Sequence, residues 1–272
     1  MMGTATPRDA RMWQAGRWSA AAPLLPEEVA VALSYNGTAQ AVMMASPADL
    51  EDFGLGFSLT EGIVASPAEI EAITVADVPG GVDVQMTLAA GAEARLATRR
   101  RRMAGPVGCG LCGLDSIAAA LGRVPTVTAA LTLSPAQVID AMRLLPAAQR
   151  LHDATRAAHA AAFFTPDGGI IALREDVGRH NALDKLGGAL ARAEVAGSMG
   201  AVVLTCRVSI DMVQKTAALG AGILIAASAP TAHAVRMADG AGITLIAQAR
   251  DDRFAIFCHP QRILPPEAAD VA

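Results

Sequence analysis

From Val29 to Ala45 the chain reads VAVALSYNGTAQAVMMA, two strand-like apolar runs split by Asn36-Gly37. That pair tolerates positive φ at both turn positions, so a two-residue hairpin is predicted here. Residues 1–26 read as irregular and end in the proline-bearing LLPEE. Three Ser-Pro pairs predict helix starts: Ser46-Pro47 with Asp49, Ser66-Pro67 with Glu69, and Ser134-Pro135 with Gln137. The hydroxyl caps free N–H groups, and proline suits the first helical turn. They are separate starts, not a repeat. Between the last two, VDVQMTLAAGAEARLATRR (Val82–Arg100) alternates as strands with one exposed face do. LDSIAAALGRV, from Leu114, predicts a short helix.

Residues 151–165 are ambiguous and end in the strand-like AAFFT. Beyond a turn at Pro166-Asp167-Gly168-Gly169 the pattern becomes regular. IIALRED is a strand, VGRHNALDKLGGALARA a helix, AVVLTCRV a strand and SIDMVQKTAALGA a helix. ILIAASA follows as a strand, TAHAVRMADGA as a helix, and ITLIAQARDDRFAIFCH as a hairpin around Asp251-Asp252. Such alternation predicts an α/β fold with a largely parallel sheet and helices on both faces. Three segments follow: an irregular 1–26, an α+β part over 27–135, and an α/β part over 136–272, with a soft boundary near 130–145.

Composition narrows the function. The chain has 272 residues, 53% of them hydrophobic, enough for one large domain or two modest ones. Aromatic residues make up 3% and net charge is -4, which argues against stacking platforms and general nucleic-acid binding. The N-terminus lacks the apolar core of a secretory signal, and the richest apolar run, Ala218–Ala229, is too short to span a bilayer. A cytoplasmic protein with no membrane partner is expected. Four cysteines are too few for a disulfide scaffold. Cys206 and Cys258 lie in apolar runs and read as core thiols.

Two features carry chemistry. The first is three polar clusters at the carboxyl ends of predicted strands: Glu175–Asn181, Thr205–Ser209 and Ser228–Thr231. Open α/β sheets bind ligands there, and helix N-termini favour anions. Arg179 and Arg207 add guanidinium groups suited to phosphate. No GxxxxGK[ST] or GxGxxG occurs. Taken singly, each cluster reads better as ordinary helix capping; three together on one sheet edge, two of them carrying arginine, favour a phosphorylated or nucleotide ligand. His180 and Asp184 lie four apart on one predicted helix, where the carboxylate can orient the imidazole. The second feature is RRRRMAGPVGCGLCG, Arg99 to Gly113. Nearby positive charge favours thiolate at Cys109 and Cys112, and the glycines leave room around sulfur. A dithiol of this kind carries sulfur, carries electrons or binds metal. Four zinc ligands are not spaced for binding, no HxE precedes the pair as a deaminase site needs, and the pair does not open a βαβ unit. Persulfide carriage fits best.

GCGLCG after an arginine run, EDVGRHNALDKL, TCRVSIDMVQK, SAPTAHAV and FAIFCHPQRI together resemble the formate dehydrogenase accessory sulfurtransferase family, the FdhD-type sulfur carriers. The resemblance runs from about Pro26 to Ile263. It implies a three-layer α/β/α sheet similar to cytidine deaminase without its zinc, and a homodimer. It implies a sulfurtransferase that takes sulfur from a cysteine desulfurase as a persulfide. The sulfur passes to the molybdenum bis(molybdopterin guanine dinucleotide) cofactor before its insertion into formate dehydrogenase, with no metal bound by the protein itself. GDP would be an analogue of that cofactor. Cys109 matches the persulfide-bearing cysteine and Cys112 the second thiol. Phe254, Ala255, Ile256, Phe257, Cys258 and His259 match a cofactor-contacting stretch. Arg207, Ser209, Ser228, Arg179 and His180 are expected to hold its phosphates or base. Gly108 and Leu114 depart from the family pattern of serine or threonine before the first cysteine and lysine after the motif. A cofactor chaperone without sulfur chemistry is the alternative reading, and a zinc enzyme a third.

Overall fold

The computed structural model describes residues 3–100 and 124–264. Cys109, Cys112, their glycine loop and the helix predicted from Leu114 lie outside the described residues.

Strands β5 (Val29–Tyr35) and β6 (Thr38–Ala45) form the hairpin expected from Asn36-Gly37. Both turn residues have positive φ, 47° and 77°. Helix α1 (Leu50–Thr60), β7 (Ile70–Val78), β8 (Gly81–Leu88) and α2 (Ala90–Arg100) complete the N-terminal part. Its sheet runs β6-β5-β8-β7, parallel only between β5 and β8. Its inner face carries Val31, Leu33, Tyr35, Val84 and Met86 against Phe53 and Phe57 of α1 and Leu96 of α2.

Three local expectations change here. No helix opens at Ser46-Pro47; α1 starts four residues after Ser46, because Ser46 is spent on tertiary bonds. Ser66-Pro67 opens only a single 3-10 turn, Pro67–Glu69, before β7. The run from Val82 is a strand only to Leu88, and its alanine-rich remainder is helical. Alanine, arginine and glutamate are strong helix formers, which outweighs the weak alternation.

The C-terminal part opens with α3 (Pro135–Ala148), where Ser134 and Gln137 make the reciprocal cap predicted for them. The ambiguous stretch resolves into α4 (Arg150–Thr155) and β9 (His159–Thr165). Then come β10 (Gly169–Asp176), α5 (Arg179–Arg192), β11 (Ala201–Leu204) and α6 (Ile210–Ala218). The chain continues through β12 (Ile223–Ala226), α7 (Ala232–Ala241), β13 (Thr244–Ala247) and β14 (Ala255–Cys258).

The six-stranded sheet has the order β10-β9-β11-β12-β13-β14. Only β11-β12 and β12-β13 pair in parallel; the other three pairings are antiparallel. The sheet is therefore mixed, not largely parallel. Because β10 and β11 both run opposite to β9, strands β10 to β13, other than β9, share one direction and end at one edge. One face of the sheet packs Phe163, Leu204 and Leu224 against Leu183, Leu186, Met212 and Ala238 of α5, α6 and α7. The other face packs Phe164, Val203 and Ile225 against Val138, Met142 and Leu145 of α3. This is the three-layer α/β/α arrangement. Each fully buried aliphatic side chain in it contributes about 1.5–3 kcal/mol.

The two parts meet at α1 and α5, through glycine. A Cβ on Gly56 would stand 1.7 Å from the Asp184 carbonyl oxygen, and one on Gly188 would stand 1.9 Å from that of Asp52. Buried charges lock this contact. Lys185 and Asp176, both fully buried, pair at 2.6 Å. Lys185 also donates to the Ser46 carbonyl, and Asp176 accepts the Ser46 N–H. Nearby, Lys215 of α6 bonds Asp184 and Glu61 at 2.8 and 2.9 Å. Those carboxylates outweigh the burial that would neutralise Lys215 and raise its pKa.

The segment before Pro26 is not irregular. β1 (Ala5–Pro7) pairs with β4 (Leu24–Pro26), and between them β2 (Ala10–Gln14) pairs with β3 (Arg17–Ala21). Trp13 and Trp18 face each other across this second pair, a cross-strand pairing that holds so short a ribbon together. Among the described residues no helix is long and apolar enough to cross a membrane.

Candidate functional site

Four loops gather where β10, β11, β12 and β13 end. Three are the predicted clusters; the fourth, 248–254, joins β13 to β14. They are tied side by side. Val208 and Pro230 form a bridge between the second and third loops, and the Gln248 N–H donates to the Ser228 carbonyl. The shared edge follows from strand direction.

The first two loops meet at the N-termini of α5 and α6. His180 Nε2 pairs with Asp211 Oδ2. Asp211 therefore supplies the carboxylate that the sequence reading assigned to Asp184, which is spent on Lys215. Burial alone would raise the Asp211 carboxyl. Hydrogen bonds from the His180 and Ser209 side chains outweigh it and bring the pKa down to about 2. Arg179 Nε is buried there with no partner among the described residues. His159, at the start of β9, has its pKa lowered by burial and then by Arg179, His152 and His180. Three of the chain's five histidines thus lie near one another at this edge. Arg207 is exposed beside them.

The third and fourth loops enclose a cavity of about 450 Å³. Ser228, Phe254 and Ala255, three of the residues expected to meet the cofactor, line it together with Gln248, Arg250 and Arg253. The two arginines were missed by sequence reading. ARDDRF looked like ordinary hairpin punctuation, and only the shared direction of β12 and β13 turns it toward the other loops. The signal available was the pair of arginines flanking Asp251-Asp252.

The stretch Phe254–His259 does not stay together. β14 runs antiparallel to β13, so it starts at this edge and leaves it. Ile256 packs on the α3-side core, and Phe257 is exposed. Cys258 is buried, its thiol donating to the Ile243 carbonyl. His259 lies at the far end of the sheet, bonded to the Asp239 carbonyl oxygen. The structure brings Phe254 and Ala255 to the edge and keeps Cys258 and His259 away from it.

Cys206 sits beneath the second loop. Burial pushes its pKa to about 11, and burial raises that of Cys258 as well. Both are core thiols, as expected, and neither is poised as a nucleophile. Among the described residues no group of histidine, cysteine and carboxylate side chains is arranged to hold a metal.

Fold and edge together define a class: a three-layer α/β protein with four arginines, Arg179, Arg207, Arg250 and Arg253, gathered on the loops at one sheet edge. A family model described as FdhD/NarQ matches residues 26–264. The chain belongs to the FdhD/NarQ family. It is similar to a protein of Agrobacterium fabrum named sulfur carrier protein FdhD, 52% identical over 241 residues and covering 88% of this chain and 89% of the relative. A protein of the same name from Bordetella petrii is 50% identical over 237 residues, covering 87% and 85%. The crystal structure of a candidate formate dehydrogenase accessory protein from Desulfotalea psychrophila superposes with a TM-score of 0.77 over 96% of this chain and 100% of its own, at 24% identity. At that identity the likeness speaks for the fold.

Proposed function

We propose that this chain is a cytoplasmic sulfur carrier that serves formate dehydrogenase, with the molybdenum bis(molybdopterin guanine dinucleotide) cofactor as the substrate that receives the sulfur. The observation that carries the reading is the union of a reactive-type dithiol in the sequence with a sheet edge where arginine-bearing loops open helices, a place that favours anions. Relatives about 50% identical over most of the chain, named sulfur carriers, support it.

The Cys109 thiolate attacks the outer sulfur of the desulfurase persulfide. The donor's S–S bond breaks, its cysteine leaves as thiolate, and a new S–S bond forms at Cys109. Attack by Cys112 on the inner sulfur expels the outer one as sulfide toward the molybdenum centre. It leaves a Cys109–Cys112 disulfide, which a thiol reductant returns to the dithiol. The edge loops hold the guanine nucleotide halves meanwhile. Arg250, Arg253 and Ser228 meet phosphate at one end of the edge; Arg179, His180, Arg207 and Ser209 do so at the other. Phe254 offers an aromatic face to a base.

Incubation with a cysteine desulfurase and radiolabelled cysteine should label the protein at Cys109. Retention of the full label by Cys109→Ala overturns the carrier reading. GDP binding is a separate readout: the paired substitution Arg250→Ala and Arg253→Ala should weaken it by about tenfold or more, since charge-assisted bonds are worth roughly 1.5–3 kcal/mol each. Unchanged GDP affinity removes the nucleotide from this cavity. If Cys109→Ser/Cys112→Ser restores formate dehydrogenase activity in cells, the chaperone reading replaces the carrier one.

A further inference from the structure

His180 is gripped by one ring nitrogen and left open at the other. Its Nε2 pairs with Asp211 Oδ2, and the two side chains are only 15% and 11% exposed. Nδ1 has no hydrogen-bond partner among the described residues. A carboxylate at one imidazole nitrogen fixes the ring's orientation and stabilises the imidazolium, in which the second nitrogen also carries hydrogen. The other titratable groups at this corner do not compete for that role. Asp176, at the end of β10, is spent on Lys185. His159, from β9, is held toward its neutral form by burial and by the charges of Arg179, His152 and His180. Cys206 is a buried thiol, and Arg207 is exposed.

The place where the pair sits breaks a local rule. A helix N-terminus carries partial positive charge and favours acidic side chains. α5 instead opens with Arg179 and His180 and has no acidic residue in its first turn. Its N-cap, Gly178, has no side chain to bond the free N–H groups, and Ser209 makes no side-chain capping bond at the start of α6. Arg179 Nε is buried with no partner among the described residues. Basic side chains and free N–H groups therefore crowd one corner of the edge without a matching acid on α5. Such a breach, uncompensated within the fold, marks a functional position, and the partner that would relieve it is an anion.

We propose that Asp211 is a positioning residue for anion binding. It holds the His180 imidazolium by Nε2, so that Nδ1–H donates, together with Arg179, to a phosphate of a nucleoside diphosphate seated between the N-termini of α5 and α6. The imidazolium keeps both of its protons, and no covalent bond is made or broken. Asp211 itself does not touch the ligand, and its role rests on the nucleotide reading above.

The test uses the full chain with GDP as the probe, followed by titration calorimetry at pH 7. His180→Gln should weaken GDP binding by about tenfold or more, the worth of one charge-assisted hydrogen bond. Asp211→Asn should weaken it by a similar factor. In the double variant the two losses should not multiply, because Asp211 acts only through His180. Losses that do multiply trace the effect of Asp211 to the fold at large and overturn the proposal. Should Asp211→Asn fail to fold, the wild-type complex still decides. Ring-nitrogen NMR of the GDP complex should show hydrogen on both nitrogens of His180, and a single neutral tautomer there overturns the proposal. GDP binding that is indifferent to His180→Gln also overturns it, while the nucleotide reading survives on Arg250 and Arg253. A wild-type chain that binds no GDP overturns both.

Discussion

Removing the ammonium of Lys185 while keeping its length, as Lys185→Met, tests how the family motif supports the site edge. Lys185 and Asp176 are both fully buried and 2.6 Å apart. Breaking such a pair from one side leaves a buried charge and costs about 3–5 kcal/mol. Asp176 would keep three neutral donors: the Ser46 N–H at 3.0 Å, the Gly178 N–H at 2.7 Å and the Asn181 amide at 3.0 Å. These pull the expectation to the low end, about 3 kcal/mol. The Ser46 carbonyl also loses its donor, for about 1 kcal/mol more. For a chain of this size that is a fall in Tm of roughly 8–16 °C. Calorimetry, or denaturant unfolding read at constant slope, measures it. The double variant Asp176→Asn/Lys185→Met removes both charges and should recover at least half of the loss, because no buried charge is left alone. A single variant within about 0.5 kcal/mol of wild type refutes the reasoning, and so does a double variant that is no better than the single.

Four further outcomes follow from the same geometry. In a Cys109→Ser/Cys112→Ser background, native protein at mildly alkaline pH should take up no iodoacetamide at Cys206, whose pKa stands near 11, until it is unfolded; mass spectrometry of the digested protein reads this. His159 has a folded pKa below its ordinary 6.5, so its contribution to stability is present above that value and is lost as pH falls through the depressed one; His159→Gln should flatten the decline in Tm below about pH 6.5. Asp211, ordinarily near 3.8 and held near 2 in the fold, contributes stability that is present above 3.8 and lost as pH falls toward 2; Asp211→Asn should make the acid limb of the stability profile shallower over that interval. Gly56→Ala forces a methyl group into the Asp184 carbonyl and should cost about 3 kcal/mol or more in chemical denaturation; a cost below about 1 kcal/mol would mean that α1 and α5 can part more easily than their packing implies.

Much of the C-terminal part was legible in the sequence, because its strands are short apolar runs and its helices open at polar caps. The Asn36-Gly37 hairpin and the Ser134 capping box formed as read, since both depend on a few adjacent residues. The same Ser-Pro sign at Ser46 misled, because Ser46 binds Val177, Asp176 and Lys185 from far along the chain. The arm before Pro26 was missed because its strands bury nothing, so no period appears in their apolar positions. At the site, Arg179, His180, Arg207, Ser209 and Ser228 do end at one edge. Their partner Asp211 and the arginines of the 248–254 loop arrived there by strand order alone.

The chain's residues by themselves determined the α/β alternation, the family, and the presence of a dithiol beside arginines, for these are written in local spacing and in motif order. The hairpin of β13 and β14 was legible, and only the tertiary structure decided that β9 lies between β10 and β11 and runs against both. The return of β14 along β13 puts Phe254 at the arginine-bearing edge and His259 at the far end, while tertiary packing alone put β9 between its neighbours. It also decided that Asp184 belongs to Lys215, leaving Asp211 to His180. Direction and pairing are settled by which faces can be buried together and which charges must be matched there, and no single segment contains that information.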